Sequence, residues 1–281
     1  MCALSSFTQA AMPVRPVHLD LYLASTDDAF DITQALSVLD EYELSRYRRF
    51  KVEHARQTFL LARYIIKTEL ACRLDIAPAE VRFDYNQNGK PQLIPDLARQ
   101  DLHFSLAHSQ STVLVAISSV TCGVDVEELA RLDRVSEDTA TFVGERAAAQ
   151  IANLAVTPEQ HRHYFAMFWT SMESIVKLRG STLYAEQAIF DLRLNGNTYE
   201  FTQNDYAIAS FLVDDVVVSV CVASELITTG LKQWRCRAEY QYPSYTLMAS
   251  TGCLKDGSDK QIAEVSTKVV TKRQHDNMIK R

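Results

Sequence analysis

The chain has 281 residues, 47% of them hydrophobic and 23% charged, with a formal charge of −6. That length can bury a large core in one or two domains. The acidic balance argues against a general nucleic-acid binder, and no apolar run approaches the length of a membrane span. The charge is uneven: residues 253–281 hold seven Lys/Arg and four Asp/Glu, so the remainder carries −9.

Cys2, Cys72, Cys122, Cys221, Cys236 and Cys253 show no metal-type spacing, which predicts reduced thiols in a cytoplasmic protein. Met1 to Val17 lacks the basic-then-apolar pattern of a secretory signal. Residues 17–24 alternate apolar and polar and read as an opening strand, followed by a helix at about Ile32–Leu39. Residues 45–51 (Ser-Arg-Tyr-Arg-Arg-Phe-Lys), which include Arg46, form the densest basic cluster. A long helix is expected over about Glu53–Leu74, with Phe59, Leu60, Ile65, Ile66 and Leu70 on its buried side. Arg56, Arg63 and Lys67 share another face, either a solvated basic stripe or a phosphate-binding one. Residues 86–91 (Asn-Gln-Asn-Gly-Lys-Pro) form a turn in which backbone N–H groups and Lys90 can hold a phosphate.

Strands follow at Leu102–Ser109 and Thr112–Ser118, the second apolar enough to be buried on both faces. His108 shares a small polar cluster with Ser105 and Ser109. The next strand, Cys122–Glu128, contains Gly123-Val124-Asp125-Val126-Glu127. Alternation puts both carboxylates on one face and both valines on the other. Such a pair is either a solvated acidic face or an oxygen site for a hard divalent cation. A short Ala-rich helix around Gly144–Leu154 precedes a strong one at Pro158–Arg179, where Phe165, Phe168, Trp169, Met172, Ile175 and Val176 mark the core stripe. Glu173 and Lys177 lie one turn apart on its flank, and Gly180 ends it. Strands are expected near Ala188–Leu194, Tyr199–Phe201, Tyr206–Leu212 and Val216–Val222, with Asn195-Gly196-Asn197 as a hairpin turn. Residues 253–281 read as a polar, basic tail or one marginal helix.

Four of these segments, in this order, resemble the surfactin-synthetase type of 4'-phosphopantetheinyl transferase: Gly89-Lys90-Pro91, Phe104–Ser109, Gly123–Glu127, and Trp169–Lys177 with Gly180. The resemblance spans about Ser45–Leu183. It departs at Met172, where the family has Lys, at Ser181, where a second Gly is usual, and at Ser105 and Ala107, where Asn and Ser are common. It implies an α+β fold, a pseudo-two-fold pair of similar subdomains, each with a small antiparallel sheet packed against a long helix. The expected division is 1–121, 122–245 and a polar tail at 246–281. It also implies transfer of the phosphopantetheine arm from coenzyme A to a serine of an apo acyl or peptidyl carrier domain, by a monomer. A non-catalytic coenzyme A or nucleotide-binding module of the same fold is the alternative. By resemblance, Asp125, Glu127 and Glu173 hold Mg2+ or Mn2+. The needs of the transfer itself place Glu173, Lys177 and Asp125 at the chemistry, with Glu173, directly or through a metal-bound water, as the base. His108, Ser105 and Lys177, again by resemblance, belong to the coenzyme's phosphate site, and Arg46, Arg56, Arg63, Gly89, Lys90 and Pro91 to its adenosine end.

Overall fold

A computed structural model describes residues 18–132, 139–182 and 206–223, together with the backbone alone of 200–203, 241–242, 245–255 and 261–266. The first half runs β1 (Leu19–Ser25), α1 (Ile32–Ser37), α2 (Glu41–Arg49), α3 (Glu53–Leu74), β2 (Phe83–Tyr85), β3 (Pro91–Leu93), β4 (His103–Ser109) and β5 (Thr112–Ser118). The second runs β6 (Cys122–Glu128), α4 (Thr139–Val143), α5 (Glu145–Leu154), α6 (Pro158–Arg179), β7 (Glu200–Gln203), β8 (Tyr206–Val213) and β9 (Val216–Ala223), followed by β10 (Gln241–Tyr242), β11 (Tyr245–Lys255) and β12 (Gln261–Ser266).

All pairings in the two main sheets are antiparallel, in the orders β10-β11-β1-β5-β4 and β6-β9-β8-β7. Each sheet uses its period of two to face two layers at once. Val113, Val115 and Ile117 of β5 meet Leu61, Ile65 and Leu70 of α3. Leu114 and Ala116, between them, join Val124 and Val126 of β6 and Val218 and Val220 of β9 in a core between the sheets. On the far side, Val217 and Cys221 of β9 meet Phe165, Phe168 and Ile175 of α6. The result is helix, sheet, sheet, helix: an α+β pair of similar halves, as the resemblance implies. The unbroken apolar run of β5 is buried at every position, which is what two covered faces require.

The halves are sewn together beside β6. The Val124 N–H donates to Ser105 Oγ at 3.2 Å and the Glu128 N–H to Ser109 Oγ at 3.4 Å. Glu128 in turn accepts from Thr112 Oγ1 at 2.8 Å. Burial pushes the Cys122 thiol up to about 12, so it acts as a small core residue.

Two stretches differ most from expectation. The basic cluster at 45–51 runs through the end of α2, whose start is fixed by a capping box between Asp40 and Glu43. The stretch read as a tail or marginal helix supplies strands: β11 pairs with β1 and β12 with β11, giving β1 a partner on the side away from β5. The strand expected at Ala188–Leu194 and the turn at Asn195–Asn197 lie outside the described residues.

Candidate active site

The decisive local feature is the contact between β6 and α6. A Cβ at Gly123 would sit 1.9 Å from the Ser174 carbonyl oxygen and 2.4 Å from the Leu178 nitrogen. Only glycine lets the strand lie this close, and buried Ser171 and Ser174 keep the helix face small. Two residues further along the strand, Asp125 comes up against the flank of α6. Lys177 Nζ donates to Asp125 Oδ1 at 2.5 Å.

Asp125 and Glu127 are 5% and 7% exposed, so their shared face is not a solvated acidic surface. Burial pushes the Asp125 carboxyl up, while Lys177 pulls it down. Glu127 is raised first by burial, then lowered by Arg131 and raised again by Asp125. Glu173 is raised by burial and next by the charge of Asp125, with Lys177 opposing. Asp125 is thus the hub through which the three carboxylates feel one another. Among the described residues no three metal-ligating side chains form a closed cluster. Asp125 is engaged by Lys177, and Glu127 by Arg131 at 3.3 Å. The donor types nevertheless suit a hard divalent cation: buried Asp125 and Glu127 and half-buried Glu173 are carboxylates, the charge of Asp125 raises both of the others, and Lys177 and Arg131 offset the charge.

A cleft of about 520 Å³ opens alongside, between α2, the start of α3, the β2–β3 turn and β4. Arg46, Arg63, His108 and Arg131 are among its polar lining, with Phe50 and Phe59 as an apolar wall and Gly89 and Pro91 at one edge. Desolvation in the cleft lowers the His108 pKa even though the residue keeps an exposed edge, and the charges of Lys177, Arg131 and Arg46 lower it further. The imidazole therefore lies within the field of Lys177, which holds Asp125, and of the cleft's arginines. A cavity with several cations and an aromatic wall suits a phosphorylated nucleotide.

Several expected residues are engaged elsewhere. Arg56 pairs with Glu53 and lies over Tyr47, outside the cleft lining. Lys67, fully buried, donates to Glu43 at 2.7 Å, so the basic stripe is not a free phosphate track. Glu43 also holds Arg63 Nε at 2.9 Å, and Tyr85 Oη accepts from Arg63 Nη2 at 3.1 Å. Ser105 is buried with its hydroxyl on the Val124 N–H, because its side chain points between the sheets while Leu106 and His108 line the cleft. Lys90 donates to the Leu178 carbonyl at 3.0 Å instead of lining the cavity. Met172 is 1% exposed and packs in the core under α6, away from the carboxylates. Sequence reasoning missed Arg131, whose only mark is its spacing of four from Glu127, and Glu43, whose mark is the capping box.

Residues 26–120 match the family model described as 4'-phosphopantetheinyl transferase, N-terminal, and residues 121–221 that of the 4'-phosphopantetheinyl transferase superfamily. The chain belongs to this superfamily. It is 31% identical over 145 residues to 4'-phosphopantetheinyl transferase HetI of Nostoc sp., a stretch covering 51% of this chain and 60% of that protein. A 4'-phosphopantetheinyl transferase of Bacillus subtilis is 25% identical over 186 residues, 65% of this chain and 77% of that protein. The L-aminoadipate-semialdehyde dehydrogenase-phosphopantetheinyl transferase of Eremothecium gossypii is 27% identical over 191 residues, 66% of each. The chain thus spans about three fifths of the length of the Nostoc protein. No described helix is long and apolar enough to cross a membrane.

Proposed function

We propose that this chain is a surfactin-synthetase-type phosphopantetheinyl transferase, moving the phosphopantetheine arm of coenzyme A onto a serine of an apo acyl or peptidyl carrier domain. The observation that carries the reading is that the buried carboxylates Asp125 and Glu127, with half-buried Glu173, adjoin through Arg131 a cleft lined by Arg46, Arg63 and His108. Both components come from one chain, which favours a monomer; a cytoplasmic location is part of the same proposal. The halves are read as subdomains dividing at 121/122, a division supported by the family models, which meet at 120/121.

In this reading Arg46 and Arg63, with the edge at Gly89 and Pro91, hold the adenosine bisphosphate end. His108 and Arg131 face the diphosphate. Asp125, Glu127 and Glu173 would hold Mg2+, which supplies charge neutralisation on the diphosphate when bound. The serine oxygen attacks the β-phosphorus, the phosphoanhydride bond breaks, and adenosine 3′,5′-bisphosphate leaves. Glu173, the least tied of the three acids and raised above its ordinary value, takes the serine proton. Lys177 places a positive charge where the leaving oxygen becomes negative.

Glu173→Gln tests the assignment. Transfer to an apo carrier should fall by on the order of a hundredfold or more, while coenzyme A affinity by equilibrium dialysis stays within a few-fold. Parallel loss of both would remove Glu173 from the chemistry.

A further inference from the structure

The turn between β2 and β3 has two working sides. One, at Gly89 and Pro91, edges the cleft. The other grips the end of α6, about ninety residues further along the chain. Asn86 Nδ2 and Asn88 Nδ2 both donate to the Gly180 carbonyl, at 3.0 and 2.8 Å, and Lys90 Nζ donates to the Leu178 carbonyl at 3.0 Å.

A helix leaves its last carbonyls without intrahelical partners. Here the left-handed turn at Gly180 (φ +64°) satisfies two of them, since the Gly180 N–H reaches the Lys177 carbonyl and the Ser181 N–H the Val176 carbonyl. The Leu178 and Gly180 carbonyls are completed from the other half of the molecule. An ammonium at a helix C-terminus also meets the negative end of the helix dipole. The grip is preformed. Asn86 Oδ1 accepts from the N–H groups of Asn88 and Lys90, both at 2.9 Å, which fixes the turn before it meets the helix. It is also close-fitting, because a Cβ on Gly180 would lie 2.8 Å from Asn86 Nδ2 and 3.1 Å from Lys90 Cδ. The Lys90 ammonium is desolvated, and among the described residues no carboxylate forms an ion pair with it.

The gripped turn begins one residue after Lys177 and lies less than two turns beyond Glu173. We propose that Lys90, with Asn86 and Asn88, is a positioning residue that fixes the carboxyl end of the catalytic helix, and is not a ligand of a coenzyme phosphate. The proposal rests on the transferase reading for its kinetic readout alone.

The test compares the wild-type full chain with Lys90→Met. Amide hydrogen exchange over residues 177–182 should accelerate about tenfold, the effect of removing one charge-assisted hydrogen bond, with α3 unchanged. The ratio of dissociation constants for coenzyme A and its 3′-dephospho form should stay at the wild-type value. In the transfer assay kcat should fall about tenfold with KM for coenzyme A within about twofold, because the helix is displaced and not the cleft. A collapsed affinity ratio, or exchange that does not change, overturns the proposal. Wild-type protein that binds neither form refutes the transferase reading, and the exchange data still decide the grip. Should Lys90→Met fail to fold, Asn88→Ala removes one bond and no charge. Faster exchange confined to the end of α6 supports the grip, and none overturns it.

Discussion

His108 shows how much of this site is set by charges outside its own strand. Partial desolvation in the cleft and the cations Lys177, Arg131 and Arg46 hold its imidazole below the ordinary value of 6.5, so the neutral form prevails in the free protein at pH 7. A diphosphate placed among those cations offsets them and raises the imidazole again. Coenzyme binding must then take up a proton, and affinity must strengthen as pH falls from the raised bound-state pKa toward the lowered pKa of the free imidazole. Calorimetry in two buffers of different ionisation enthalpy measures that uptake directly. It should be present in the wild type and lost in His108→Gln, whereas equal uptake in both would take His108 out of the phosphate site. Residue placement at this scale is partly legible: spacing and motif single out Asp125, Glu127, Glu173, Lys177 and His108 as candidates, and the structure brings Lys177 onto Asp125 and His108 into the cleft lining. Partners are not legible. Nothing in the order of residues says that Lys67 will be neutralised by Glu43 of a different helix, or that Ser105 will bond the Val124 N–H across two sheets.

Between elements, the controlling event is the approach of β6 to α6. The Gly123 position has no room for a methyl group, since the obstructing atoms are helix backbone and cannot rotate away. Gly123→Ala therefore must lift α6 off the strand, with a loss of about 1–3 kcal/mol or more by urea titration. Transfer activity should fall further than stability explains, because Asp125 and Lys177 are parted by the same displacement. A variant of wild-type stability would contradict this packing. Strand and helix periodicities were legible because each main element has one face against a core: α3 and α6 appear over the residues expected, as do β4, β5 and β6 with a shift of no more than a residue at their ends. The elements misread were those whose structure comes from partners. The second helix depends on its cap and on Glu43 meeting Arg63 and Lys67, and β11 exists by pairing with β1.

At the scale of the whole molecule, two similar α+β halves place their sheets face to face, and the candidate site lies where the seam between them reaches the surface. The first half contributes most of the cleft lining and the second contributes the carboxylates, so neither is a complete site alone. That division explains why the fold could be inferred from ordered motifs while the cleft could not: it is lined by α2, α3, β3, β4 and the turn after β6, elements with no common sequence pattern. On the proposed reading the two halves share one task, to deliver a bound diphosphate to an incoming hydroxyl. The most direct measurement is the intact mass of apo acyl and peptidyl carrier domains incubated with this protein, coenzyme A and Mg2+. The account predicts that at least one carrier gains the mass of one phosphopantetheine arm, and that Glu173→Gln prevents the gain. Carriers that keep their apo mass while the protein binds coenzyme A would contradict it.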